Sequence, residues 1–294
     1  MQQRFDRLYP YILLAPATLL LFAVLIYPLG YSVWLSTTNW SMLTFRSNLE
    51  FIGLENYREL LTNPDFWNSF RVTITFMVAA IALELVLGVG LALVLHQNLH
   101  GKRVFRSLIL LPFMATNVVI GLGWRMLYNY DAGIINWFIQ VAGLDPVTWI
   151  SAPETALLSL VIVDVWNTTA FVVLIALAGL QSLPDSPIES AVIDGATGPQ
   201  IFWHIMLPLL RANFVVILVW RAIDTFRIFD VVYSLTAGGP ARSTETLSIF
   251  AYRNGFQVFE LGFAAAISLF MVVFMIVVSF GLLRFVGRGA EAIY

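Results

Sequence analysis

"ESAVIDGATGPQIFWHIMLP", residues 189–208, is polar and interrupted by glycine, yet the sequence on either side of it is apolar enough to sit in lipid. Ser186-Pro187-Ile188-Glu189, which leads into it, has the pattern of a capping box: serine as cap, proline at the first helical position, glutamate at the third. Gly195 then stands where a helix ends, because glycine enters the left-handed conformation without steric cost. Thr197 followed by Gln200 repeats the capping pattern and opens a second helix. The segment, about 184–208, therefore reads as helix, glycine turn, helix. Its first turn, "IESAV", presents small and apolar side chains in place of charges. Such a face fits a partner protein, the membrane interface or the chain's own bundle.

The rest of the chain says what kind of molecule carries this hairpin. Of 294 residues, 59% are hydrophobic and 12% charged, with mean hydropathy +0.82, whereas soluble domains carry about 25% charged residues. This is the composition of a membrane protein. The sixteen Lys and Arg are scattered and the net charge is -2, so no basic block points to nucleic acid. The absence of cysteine excludes disulfides, thiolate chemistry and cysteine-ligated metal. His96, His100 and His204 do not form a metal-binding pattern. The only lysine, Lys102 in "HGKRV", lacks the glycine and the Ser or Thr of a phosphate-binding P-loop. We therefore expect no nucleotide-binding domain and no cofactor on this chain.

Apolar windows long enough to span a bilayer recur six times, near 10–36, 68–95, 104–129, 155–181, 206–235 and 260–286. The first follows Arg4 and Arg7 but meets no small-residue cleavage site, and reads as a retained span. The fold class is all-α: a single membrane domain, 1–294, of six transmembrane helices with a cytoplasmic helix-turn-helix segment. Placing both termini inside puts Arg4, Arg7, Lys102, Arg103, Arg106, Arg211, Arg284 and Arg288 in the cytoplasm. Arg46, Arg58, Arg71, Arg125, Arg242 and Arg253 then lie outside. The margin is narrow, and the compact "GKRVFR" cluster is its best anchor. In the first outer loop "NYRELLTNPDFW" reads as a short amphipathic helix stopped at Asn63-Pro64.

Ionisable and amide side chains inside a bilayer are costly and mark a cavity or the bundle interior. Counting about 1.5 Å per residue along each span puts Glu84, Asn117, Asn167, Thr168, Arg221 and Asp224 at one depth. Asn117, Trp166, Asn167, Arg221, Asp224 and Tyr233 are candidate substrate contacts, the amides and charges for hydrogen bonding and an indole, Trp166 or Trp220, for an aromatic stacking face. A structural alternative stands beside this. Arg221, Asp224, Arg227 and Asp230 alternate in sign and could neutralise one another along one helical stripe, and Glu84 could pair with Arg221 or Arg125. Gly88 and Gly90 read as points of close helix packing.

The spacing of Glu189, Ala191, Gly195, Ile205, Leu207 and Pro208 resembles the E-A-A-x3-G-x9-I-x-L-P signature of permease subunits of binding-protein-dependent ABC importers. Ser190 stands where that family has alanine. "FIGLENYRELL", "VVIGLGWRMLYN" and "FRIFDVVYSLTAGGPARSTETLSIFAYRNGF" look like its carbohydrate branch, on the side of the maltose-permease F subunit, here reduced to a plain six-span core. The resemblance implies that Glu189, Ser190, Ala191, Asp194, Gly195, Ile205, Leu207 and Pro208 couple the spans to a cytoplasmic ATPase. It further implies a second homologous permease, two copies of that ATPase holding ATP and Mg, an external sugar-binding protein and a place in the bacterial inner membrane. The alternative is an ion-coupled carrier using Glu84, Asp164 or Asp224 for protons.

Overall fold

The computed structural model describes residues 2–43, 49–97 and 100–287. Arg46 and Arg288, and the side chains of Arg4 and Arg7, lie outside the described set. The chain begins with α1 (Gln2–Leu21), which passes through a π turn at Phe22–Ile26 into α2 (Tyr27–Ser36). Next come α3 (Glu55–Thr62), α4 (Pro64–His96), α5 (Lys102–Leu110), α6 (Asn117–Leu127), α7 (Ile134–Val141) and α8 (Pro153–Gln181). The hairpin follows as α9 (Asp185–Ile193), α10 (Gly198–Ile201) and α11 (Leu207–Leu209). The last elements are α12 (Arg211–Phe226), α13 (Asp230–Leu235), α14 (Leu247–Tyr252) and α15 (Leu261–Gly287). Among the described residues the only β-pairing is an isolated bridge, Thr38–Phe51.

Four stretches are straight enough and apolar enough to cross a bilayer: Leu13–Ser36, Pro64–His96, Pro153–Gln181 and Leu261–Arg284. They fall on the windows expected at 10–36, 68–95, 155–181 and 260–286. The other two windows are broken. Where 104–129 was expected as one helix, Lys102–Met114 meets Asn117–Leu127 at 96°. Pro112 has no N–H for the Leu108 carbonyl, which takes the Leu111 N–H instead at 3.3 Å. Ala115 and Thr116 are extended before α6 begins. Where 206–235 was expected, Gly198–Leu209 meets Arg211–Phe226 at 69°. The first piece contains the π turn Phe202–Met206, which Pro208 follows closely, and the bend at Leu210 separates it from the second. The second piece ends at Phe226, so Asp230 belongs to α13 and the four-residue charge stripe does not run along one helix.

The fold divides into two compact units, Met1–Pro64 with Ala251–Val272, and Asp65–Phe250 with Val273–Tyr294. In the first, Asn56 on α3 donates to the carbonyls of Ser36 (2.8 Å) and Thr38 (2.9 Å), and Tyr57 Oη meets Ser36 Oγ at 2.7 Å. The first of these bonds satisfies the last carbonyl of α2. Asn63 ends α3 and Pro64 opens α4, since a residue without N–H is tolerated only where the helix offers no acceptor.

In the second unit α8 is the central helix, with 72% of its apolar window buried against 33% for α4. Phe76 and Ala80 of α4, Leu160 and Val163 of α8, and Val231 and Val232 of α13 form one core cluster. Ala92 and Leu95 of α4 pack with Val173, Leu177 and Leu180 of α8 and with Leu210 in another. Gly88 lies at a close approach of α4 and α8: a Cβ there would stand 2.6 Å from Val172. Gly90 faces open space, so the packing role expected of it is not met among the described residues.

A charged cluster ties three helices together in this unit. Arg221 of α12 is fully buried. Its Nε donates to Glu84 Oε2 at 2.5 Å, Nη2 to Glu84 Oε1 and Asp164 Oδ2 at 2.6 Å, and Nη1 to Asp224 Oδ2 at 2.9 Å. Thr168 adds a hydroxyl bond to Glu84 Oε1 at 2.6 Å. Of the two partners foreseen for Glu84, Arg221 is the one it has. A guanidinium without counter-charge here would be strongly destabilising, and so would the carboxylates without it.

Two outcomes are expected in thermal melts of the detergent-solubilised chain. Arg221→Met, which leaves Glu84 and Asp164 buried without a cation, costs about 3–5 kcal/mol; a melt within error of the parent would show that the clamp does not hold the helices. Gly88→Leu costs about 1–3 kcal/mol through overpacking against Val172, whereas Gly90→Leu is close to neutral.

Candidate functional site: a polar cavity between broken helices and an exposed hairpin

Each break in the helices bares backbone groups that lipid cannot satisfy, and such breaks are tolerated where they line a cavity. A cavity of about 170 Å³ lies where two of them, before α6 and between α12 and α13, meet α8. Asn117, the first residue of α6, enters from one side. Asp224 and Arg227 close the end of α12, and Asp230 opens α13 after the irregular Ile228-Phe229 link. Asp164, Asn167 and Thr168 supply the α8 wall.

The cavity is rich in hydrogen-bond acceptors. Asp164 and Asp224 each commit Oδ2 to Arg221, and Asp224 Oδ1 lies 3.5 Å from Arg227 Nη2. Arg227 is exposed and, among the described residues, is the one cation lining the cavity. Asn167 is 6% exposed, and its Oδ1 is buried with no hydrogen-bond partner among the described residues. An unmet carbonyl of this kind is costly unless something in the cavity donates to it.

The structure sorts the candidates named from sequence. Asn117, Asn167 and Asp224 come together in the cavity. Arg221 is adjacent but fully buried beneath carboxylates, so it orients cavity groups without lining the space itself. Trp166 is half-exposed and meets Trp124 edge-on at 5.5 Å, outside the lining. Tyr233 stacks on Phe229 at 5.3 Å, also outside it, and Trp220 stacks on Phe171 at 3.9 Å. Three charged cavity residues were not placed there from sequence: Asp164, considered only as a proton site, and Arg227 and Asp230, assigned to the stripe. The signal for the last two was the loss of helical pattern at Ile228-Phe229.

The hairpin has the expected shape with one correction. Its first helix starts at Asp185 behind the extended Pro184, so Ser186 lies inside it and no side chain caps it. The charge of Asp185 in the first turn and the fixed conformation of Pro184 take over that role, while Pro187 still falls in the turn where an N–H has no acceptor. Glu189 therefore does not close a capping box; it is exposed, and its carboxylate has no partner among the described residues. At the other end Gly195 has φ +82°, the Gly195 N–H bonds to Val192 O at 3.1 Å and Ala196 N–H to Ala191 O at 2.9 Å. That pair of bonds is a Schellman motif. Thr197 and Gln200 form the expected capping box, with Thr197 N donating to Gln200 Oε1 at 2.8 Å. Ala191 is buried, Ile205, Leu207 and Pro208 are partly buried, and Ser190, Asp194 and Gly195 are exposed.

Comparison with known proteins places this geometry. A probable ABC transporter permease of Sinorhizobium fredii is 41% identical over 94% of this chain and 89% of its own length. A trehalose/maltose transport system permease of Thermococcus litoralis is 37% identical over 92% of this chain and 90% of that protein. In fold the chain is similar to a protein in the crystal structure of a bacterial ABC transporter that imports the acidic polysaccharide alginate. The TM-score is 0.83, at 21% identity over 98% of both chains. Residues 84–290, which hold the charged clamp, the cavity and the hairpin, match the model of one family. The chain belongs to that family, the inner membrane components of binding-protein-dependent transport systems, and is a permease subunit of an ABC importer.

Proposed function

We propose that the chain forms one half of the passage for a neutral sugar of two or a few units, with the cavity beside Asn167 as its substrate contact. The observation that carries this is the buried, unpartnered Asn167 Oδ1 in an acceptor-rich space within the spans. Sugar hydroxyls are donors that such a space lacks, whereas a phosphate or carboxylate would face Asp164, Asp224 and Asp230 with only Arg227 to offset them. The trehalose/maltose relative supports the same substrate class.

In this reading a second homologous permease completes the passage and an external binding protein delivers the sugar. Two copies of a cytoplasmic ATPase hold ATP and Mg. Both termini and the hairpin of α9 and α10 lie on the cytoplasmic side of the bacterial inner membrane. The hairpin is the coupling element: Glu189, Ser190, Asp194 and Gly195 face outward to the ATPase, Ala191 seats it, and Ile205, Leu207 and Pro208 carry its movement into α12. Arg221 sets the cavity carboxylates, and Trp166 and Tyr233 flank the route outside the cavity.

Reconstitution of the whole importer in liposomes separates the two sites. Asn167→Ala lowers uptake roughly tenfold, the worth of one buried hydrogen bond, and leaves basal ATP hydrolysis intact; unaltered uptake would remove the cavity from the route. Gly195→Pro or Glu189→Lys leaves the permease inserted but breaks the link between ATP hydrolysis and uptake. Normal transport in both would remove the hairpin from coupling.

A further inference from the structure

α5 carries three cations in five residues, Lys102, Arg103 and Arg106, and none makes an ion pair among the described residues. Residues three and four apart share a helix face, so Lys102 and Arg103 flank Arg106. Elsewhere on α5 and just beyond it, Val104, Phe105, Leu108 and Leu111 are more than half exposed. The helix lies at 96° to α6, so if α6 runs across the bilayer α5 runs along its surface. A basic amphipathic helix in that posture is an interfacial element.

Behind α5 is a groove of about 220 Å³, walled by Ile109 of α5, Leu95 of α4, and Val173, Leu174 and Ala178 of α8. Its polar groups are Arg106 and Gln181, and no carboxylate lines it among the described residues. Arg106 is half-buried, with Nη2 3.5 Å from Leu95 O, the long limit of a hydrogen bond, and with Nε buried and unpartnered among the described residues. A guanidinium lining an apolar trough, with Nε unmet and Nη2 held only at the long limit of a hydrogen bond, calls for a ligand with anionic oxygens at one end and hydrocarbon at the other.

We infer that this groove binds an anionic phospholipid, its phosphate on Arg106 between Lys102 and Arg103 and one acyl chain along Leu95, Val173 and Leu174. Basic pockets between membrane helices take such headgroups, and the exposed apolar residues of α5 join the trough to the bilayer. A zwitterionic lipid brings an ammonium group to three unpaired cations and is disfavoured.

Native mass spectrometry of the assembled, delipidated importer tests this, with phosphatidylglycerol and phosphatidylethanolamine of identical acyl chains as probes. The expected result is one phosphatidylglycerol retained roughly tenfold more tightly than phosphatidylethanolamine, with the preference lost in Arg106→Gln. Ala178→Trp, which fills the trough and keeps every cation, also releases the lipid and serves if the arginine variant does not accumulate. Equal retention of the two lipids by the parent, or an unchanged preference in both variants, would overturn the inference. Loss of the ATPase from Arg106→Gln with phosphatidylglycerol still bound would give the groove to a protein partner. Stabilisation by inorganic phosphate as large as by the lipid would give it to a free anion.

Discussion

A permanent positive charge in the middle of an apolar bundle constrains everything near it. Arg221 keeps its charge at any physiological pH, so the fold must bring counter-charge to it. Three carboxylates do so: Glu84 from α4, Asp164 from α8 and Asp224 from one turn along α12. The fork geometry of guanidinium fixes direction as well as distance, and the clamp therefore sets the rotation of α4, α8 and α12 about their own axes. It also has a second face. Asp164 and Asp224 each turn one oxygen to Arg221 and belong to the cavity wall, so the interaction that holds the helices is also the one that shapes the polar surface between them.

Much of this was legible in the sequence, for a physical reason. Length and hydropathy locate spans because the bilayer imposes one thickness, and a side chain's position along a span gives its depth. That is why Glu84, Thr168, Arg221 and Asp224 could be assigned to one layer before their contacts were known. Depth says nothing of azimuth, however. Trp166 and Asn167 are neighbours in sequence and sit at nearly the same height, yet one faces Trp124 and the other lines the cavity. The breaks were missed because averaged hydropathy is blind to direction: "LILLPFMA" is as apolar bent as straight, and only Pro112, which lacks the N–H a continuing helix needs, marks the turn. The start of α9 was misplaced because a serine before proline imitates a cap, while Pro184 and Asp185 begin the helix without one.

The broken helices and the cavity are two views of one fact. Lipid penalises an open backbone, so a membrane protein leaves a helix incomplete only where another group or water answers it. The start of α6 and the link between α12 and α13 both meet the α8 wall at Asn167. The segment that bends by 69° at Leu210 leads from the hairpin through α11 into α12, which carries Arg221 and Asp224. The outer surface of the hairpin and the floor of the cavity are thus parts of one short run of chain.

The Schellman turn at Gly195 and the capping box of Thr197 and Gln200 close the hairpin with bonds that involve neither Glu189 nor Ser190, Val192, Ile193 or Asp194 as side chains. The shape of the turn and the chemistry of its outer face are consequently encoded in separate residues. The outward-facing side chains can be exchanged without remodelling the loop. In the coupling role proposed above, a transplant of those few side chains between related permeases would change partner compatibility alone and make the hairpin a modular connector.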